Sequence, residues 1–181
     1  MGTSSLAGEG KTTTISNIAC IMTESNKKLL LIDLDLRKPA LHKQFKISNK
    51  KGITDLLLNK DDYKSYINNV YPGLDVITAG NIPANPSELL NSKSIRDFIN
   101  EISKDYDYVL LDAPPIILVS DPLTIASFSD AVILTIAYSE TEKDIAKKSI
   151  DSLLRVNANI IGTILNKVPI SKQNKYYYNY Y

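Results

Sequence analysis

Cysteine and histidine are nearly missing: Cys20 and His42 are each the sole residue of their kind among 181. One cysteine excludes an internal disulfide and a cysteine-cluster metal site. One histidine excludes a paired-histidine metal site and argues against histidine-based catalysis. Excess charge is missing too. With 21 Lys+Arg against 20 Asp+Glu the net charge is +1, so the chain as a whole has no electrostatic reason to seek nucleic acid or a membrane surface. No apolar run approaches the roughly 18 residues of a membrane span, and no signal peptide opens the sequence. Met1-Gly2 does not read as a myristoylation signal, because Leu6 stands where Ser or Thr is required. Together these absences predict a soluble domain of a reducing compartment.

What is present is the composition of a globular protein, 44% apolar and 23% charged. Apolar runs recur at Leu29–Ile32, Leu74–Ile77, Tyr108–Leu111, Ala131–Ala137 and Ile160–Val168. Near-continuous runs of this kind predict strands buried on both faces, hence a parallel sheet covered by helices. Helical character falls between them, at Thr12–Glu24, Ile53–Leu58, Ser92–Ser103 and Glu140–Arg155. Strand and helix alternate throughout, which predicts an α/β, doubly wound, mostly parallel sheet over residues 1–170. The remainder, 171–181, has no aliphatic residue and carries five of the 11 tyrosines in its last six positions. It reads as a flexible, tyrosine-rich tail.

Ser5-Leu6-Ala7-Gly8-Glu9-Gly10-Lys11-Thr12 fits a Walker A loop except at its first position. Gly8 and Gly10 permit the tight turn whose N–H groups cradle phosphate oxygens at a helix N-terminus. Lys11 supplies a point charge for the β/γ-phosphates, and the Thr12 hydroxyl suits Mg²⁺. A solvated Lys11 would be replaceable by Met with little loss of fold. Asp33 and Asp35 close one buried run and Asp112 another, where ligands of open parallel sheets sit. Beside a Walker A loop, these carboxylates point to Mg²⁺ and ATP. Asn166-Lys167 begins a guanine-reading Asn-Lys-x-Asp, but Pro169 replaces the Asp, which argues against a GTPase. Asn166 is a candidate contact to the nucleotide base. Cys20 reads as a core residue and His42 as a surface one.

SSLAGEGKTT, LLLIDLDLRKP, AGNIPANPSELL, YVLLDAPP, GTILNKV and the tyrosine tail together resemble the bacterial tyrosine kinases of capsule and exopolysaccharide synthesis, the CpsD/CapB type. The resemblance runs from Ser4 to the C-terminus. It implies a P-loop fold of the MinD/ParA-like branch and a protein-tyrosine kinase that uses ATP and Mg²⁺. Gly8, Glu9, Gly10, Lys11, Thr12, Thr13 and Asn166 would bind ATP. Thr12, Asp33 and Asp112 would hold the metal, and Lys11, Asp33 and Asp35 would serve catalysis. Tyr176, Tyr177, Tyr178, Tyr180 and Tyr181 would accept phosphate in trans within a homo-oligomer. The implied partners are a membrane-embedded chain-length regulator, which would draw a cytoplasmic enzyme to the inner membrane face, and a tyrosine phosphatase, with no nucleic acid. Arg37 and Lys38 stand open between subunit contacts, phosphates and a solvated pair. Asn85, Pro86 and Glu88 also read as a helix start.

Two rivals remain at this point. A MinD/ParA-type switch ATPase would carry a signature Lys where this sequence has Leu6. A catalytically inactive module binding the membrane regulator draws its support from the few residues, Met1–Ser4, that precede the P-loop. These predict a truncated first strand and unpaired neighbours.

Overall fold

The computed structural model describes residues 1–59 and 61–169. The described strands are β1 (Gly2–Ser4), β2 (Leu29–Asp33), β3 (Asn68–Tyr71), β4 (Leu74–Ile77), β5 (Tyr108–Asp112), β6 (Val132–Ala137) and β7 (Ile160–Asn166). They form one sheet in the order β3-β4-β2-β5-β1-β6-β7, parallel throughout except for the β3–β4 pair. The helices are α1 (Lys11–Thr23), α2 (Leu41–Gln44), α3 (Ile53–Asn59), α4 (Pro86–Asn91), α5 (Lys93–Ile102), α6 (Asp121–Ala126) and α7 (Lys143–Arg155).

β2 shows why the sheet is covered on both faces. All five of its residues are buried, and successive side chains point to opposite sides. Leu30 and Ile32 join the larger core, with Ile53, Ile77, Leu90 and Leu134. Leu29 and Leu31 join a second core built on Ile15 and Ala19 of α1, with Leu41 of α2. Each fully buried leucine contributes roughly 1.5–3 kcal/mol of transfer free energy, enough to fix this register.

β1 is short, as read from the sequence, with three residues against five in β5, which it meets only at Asp112, but it is present and paired. Gly2, Thr3 and Ser4 pair with Ile133, Leu134 and Thr135 of β6, and Gly2 also pairs with Asp112 of β5. Past Asp112 the chain keeps running alongside: Ala113 N–H donates to the Gly2 carbonyl and Ile116 N–H to the Ser4 carbonyl, both at 2.9 Å. Three residues therefore hold the carboxyl end of the sheet's centre, where the segment after β5 continues the ladder.

Burial on both faces fails at β7, whose Ile161 and Leu165 are exposed. It is an edge strand, and its apolar sequence covers only one side. The opposite edge, β3, is short, polar and antiparallel, with a register shift between Asn69 and Tyr71; nothing in its periodicity announces it. Strands β2–β5 lie to one side of β1 and β6–β7 to the other. The carboxyl ends of β1, β2 and β5 thus open at the reversal of strand order, with Asp33 and Asp112 in register.

Candidate active site

From Ser4 the chain leaves β1, turns through Ser5–Gly10 and enters α1. Gly8 (φ 83°) and Gly10 (φ 92°) both lie in the left-handed region, open to glycine without strain. A Cβ on Gly10 would also stand 2.1 Å from Asn166 Nδ2. Gly10 is the N-cap of α1, no side chain caps the helix, and its first turn holds no acid. Its N–H groups and positive dipole end are thereby left to an anion.

The Glu9 side chain turns away from the cleft, which leaves its backbone N–H to the loop, and the Asn166 amide reaches the loop from the end of β7. Glu9 is buried; its Oε2 accepts from Leu6 N–H at 2.7 Å and its Oε1 from the Thr141 hydroxyl. Thr141 Oγ1 in turn accepts from Ala137 N–H at 2.9 Å, at the end of β6. Asn166 Nδ2 donates to the Glu9 carbonyl at 2.9 Å. Both residues brace the P-loop against the ends of β6 and β7. The sequence conceals this because Glu9 and Thr141 lie 132 positions apart.

Lys11 is not solvated either. Its Nζ lies 3.0 Å from Asp35 Oδ2, 3.3 Å from Asp112 Oδ1 and 3.2 Å from Thr12 Oγ1. The Thr12 hydroxyl donates to Asp112 Oδ2 at 2.6 Å. Burial alone would lower the Lys11 pKa, but Asp112 and Asp35 outweigh it and hold the ammonium above its ordinary value. Burial raises Asp112 against the opposing pull of Lys11 and Thr12. Removing this lysine would strand buried carboxylate charge, so its replacement is not neutral for the fold.

Asp33 and Asp35 part company. Asp35 Oδ2 holds Lys11 at the cleft, and its Oδ1 accepts from Lys38 N–H at 3.1 Å. Asp33 is fully buried, and its carboxylate serves the loop that follows it. Its Oδ2 accepts from Ala40 and Leu41 N–H, each at 3.0 Å, and its Oδ1 from Asp35 N–H at 3.2 Å. Burial first, then the neighbouring Asp112, raises its pKa well above the carboxylate range, to about 7. Asp33 thus orders the loop after β2, whereas Asp35 faces the cleft.

The cleft in front of Lys11 encloses about 440 Å³. Gly8, Gly10, Lys11, Thr12, Thr13 and Asp35 form its polar end; Ala40, Pro114, Pro115, Leu118 and Val119 form an apolar wall, with Arg37 and Lys38 at the lip. Thr12 and the carboxylates are hard oxygen donors suited to Mg²⁺. Among the described residues no group of three or more His, Cys, Asp or Glu forms an all-protein cage. Mg²⁺ needs none, since it takes one or two carboxylates with phosphates and water. The residues present therefore fit Mg-ATP.

The sequence gives no signal for this wall, since Pro114, Pro115, Leu118 and Val119 follow β5 in a loop without periodicity and Ala40 comes from the loop after β2. Asn85 does start α4, with Pro86 first in the helix, but its side chain donates to Glu88 Oε2 at 3.2 Å instead of capping a backbone N–H. Cys20 is only half-buried, against the α1-side core. His42, read as a surface residue, is also half-buried, with its Nδ1 enclosed. The five tail tyrosines lie outside the described residues. Among the described residues no helix is long and apolar enough to cross a membrane.

A sheet of this order, with a glycine-rich loop leading from its central strand into α1, defines a P-loop nucleotide-binding protein of MinD/ParA-like architecture. A family model described as an AAA domain matches residues 5–170. The tyrosine-protein kinase YwqD of Bacillus subtilis (strain 168) is 39% identical over 179 residues, which cover 98% of this chain and 76% of the relative. The kinase domain of the Escherichia coli tyrosine kinase ETK superposes with a TM-score of 0.87 at 34% identity, covering 92% of this chain and 66% of that one. The chimerical protein CapA2B2 superposes with a TM-score of 0.88 at 33% identity, covering 92% and 74%. The chain belongs to the bacterial tyrosine kinases of the capsule and exopolysaccharide family.

Proposed function

We propose that this chain transfers the γ-phosphoryl group of ATP to tyrosine hydroxyls, chiefly those of its own C-terminal cluster. The observation that carries the reading is Lys11 held between Asp35 and Asp112, with Thr12 on Asp112, at the mouth of a glycine-rich loop. Gly8, Gly10 and the first turn of α1 bind phosphates through backbone N–H groups, Thr13 borders them, and Lys11 turns from the carboxylates to the β/γ-phosphates. Thr12 and Asp112 would hold Mg²⁺, which neutralises charge on the phosphates. Asp33 orders the loop behind Asp35.

Asp35 is the base. The phenol oxygen bonds to the γ-phosphorus, the bond to the β–γ bridging oxygen breaks with its electron pair leaving on ADP, and the phenolic proton passes to the Asp35 carboxylate. Tyr176, Tyr177, Tyr178, Tyr180 and Tyr181 are the acceptors, reached in trans within a homo-oligomer; the family resemblance and their clustering support this. Each phosphate adds about −1.5 to −2 charge, so a filled cluster repels its neighbours and separates subunits, less so at high salt. A membrane-embedded chain-length regulator brings the enzyme to the inner membrane face, a phosphatase resets the tail, and the cycle regulates polysaccharide synthesis. The inactive-module alternative loses its footing with β1 paired on both sides.

The test mixes a variant whose five tail tyrosines are phenylalanine with a Lys11→Met chain that keeps its tail, adds Mg-ATP, and maps phosphotyrosine by mass spectrometry. Phosphate on the tail of the Lys11→Met chain supports the reading. Phosphate confined to Tyr63, Tyr66 or Tyr71 rejects the tail as acceptor, and no phosphate on the tail of the Lys11→Met chain rejects transfer in trans.

A further inference from the structure

At the lip of the cleft three side chains close a triangle that the phosphate site does not need for its own assembly. Arg37 Nε donates to Asp121 Oδ2 at 2.7 Å, Arg37 Nη2 donates to Ser87 Oγ at 2.8 Å, and the Ser87 hydroxyl donates to Asp121 Oδ1 at 2.6 Å. The three come from separate places: the loop after β2, the first turn of α4 and the first turn of α6. Asp121 is 1% exposed. Such a carboxylate demands a paired cation.

A guanidinium has five N–H donors in a rigid fork, and this triangle occupies two of them. Arg37 also lines the cleft, together with Lys11, Thr12 and Asp35. An arginine held by its Nε edge presents the other edge in a fixed direction, which suits the spread charge of a phosphoryl group in flight. A loose surface arginine would lose that advantage to its own rotamer entropy.

We propose that Arg37 is a catalytic residue that hydrogen-bonds the transferring phosphoryl group, and that Asp121 and Ser87 are positioning residues that aim it. This deepens the kinase reading and rests on it. It gives Asp121 and Ser87 a part that their sequence positions, 84 and 50 residues from Arg37, do not disclose.

The full chain is compared with Arg37→Ala, Asp121→Ala and the double variant Arg37→Ala/Asp121→Asn. Three quantities are read: Tm, kcat for tyrosine phosphorylation, and affinity for ADP with Mg²⁺, with and without aluminium fluoride, a planar mimic of the moving phosphoryl group. The whole chain should bind the fluoride complex at least about tenfold more tightly than ADP alone, as transition-state analogues do. Arg37→Ala and Asp121→Ala should each lose about tenfold or more of kcat and most of that extra affinity, with ADP affinity unchanged. The double variant removes the stranded carboxylate charge, so its Tm should recover above that of Arg37→Ala while kcat does not. If kcat returns with Tm, or if ADP and fluoride affinities weaken in parallel, the triangle is only a structural staple and the proposal fails. The fluoride arm needs no acceptor tyrosine, so it judges Arg37 separately from the kinase reading, which fails if the unaltered chain labels no tyrosine.

Discussion

The inner end of the cleft and its outer lip solve the same problem, holding charge near phosphate, in opposite ways. Inside, Asp33, Asp35 and Asp112 are buried, Lys11 bridges Asp35 and Asp112, and the Thr12 hydroxyl bonds Asp112. At the lip, Arg37 keeps 41% of its side chain exposed and is aimed by a buried partner, while Lys38 carries its charge in solvent. Buried charge makes large, pH-dependent effects because low dielectric strengthens each interaction and penalises each unpaired group. Solvated charge makes small, salt-dependent ones.

The sharpest break of this contrast is Lys11→Met, which should abolish measurable phosphotransfer. It should also destabilise the fold, by about 3–5 kcal/mol as for breaking a buried pair. Thermal melts should show the loss shrinking at pH 5.5, where the stranded carboxylates can take up protons; an unchanged Tm at pH 8 would place Lys11 in solvent after all.

Next comes the brace behind the loop. Thr141→Val removes the hydroxyl donor to Glu9 and leaves a buried carboxylate oxygen unpaired, a loss of about 1–3 kcal/mol. Calorimetry should find ATP affinity reduced up to about tenfold, with Asn166→Ala acting in the same direction. Undiminished affinity in both would show that the P-loop holds its shape without β6 and β7.

A third effect follows from Asp33, whose folded pKa of about 7 lies above the unfolded carboxylate value of 3.8. The folded state therefore binds the extra proton between those values, and stability falls as pH rises through that window. The ligand-free chain should melt lower at pH 8 than at pH 5.5, and Asp33→Asn should flatten the slope. Mg-ATP favours the ionised carboxylates, so the Tm increment it gives should grow with pH. Smallest of all is Lys38→Ala, expected to change kcat by less than about threefold and to lose even that at high salt.

How much of this was legible beforehand depended on range. Lys11, Thr12, Asp35 and Asp112 could be read because local spacing dictates them: a glycine-rich turn before a helix, acids at the ends of apolar runs. β2, β4, β5 and β6 announced themselves by near-continuous apolar residues. β1 did not, since Gly2-Thr3-Ser4 has no apolar pattern and takes its place through neighbours on both sides. The lip triangle and the Glu9–Thr141 contact join residues 34 to 132 positions apart, and a single sequence carries no signal for such pairs. The division between Asp33 and Asp35 was hidden for a different reason. Both follow the same apolar run, and only the path of the following loop, with Ala40 and Leu41 N–H turned back onto Asp33, decides which carboxylate meets the cleft.

That division is the centre of the account, and single-turnover kinetics on Asp33→Asn and Asp35→Asn measures it most directly. Both are assayed with saturating Mg-ATP, well below either melting temperature. Asp35→Asn should slow phosphotransfer by at least about 10²-fold even where the variant is fully folded, the mark of a lost base. Asp33→Asn should slow it less and move the pH dependence of Tm. Equal losses of rate at equal stability, or a faster Asp35→Asn than Asp33→Asn, would contradict the assignment of Asp35 to the chemistry and Asp33 to the loop.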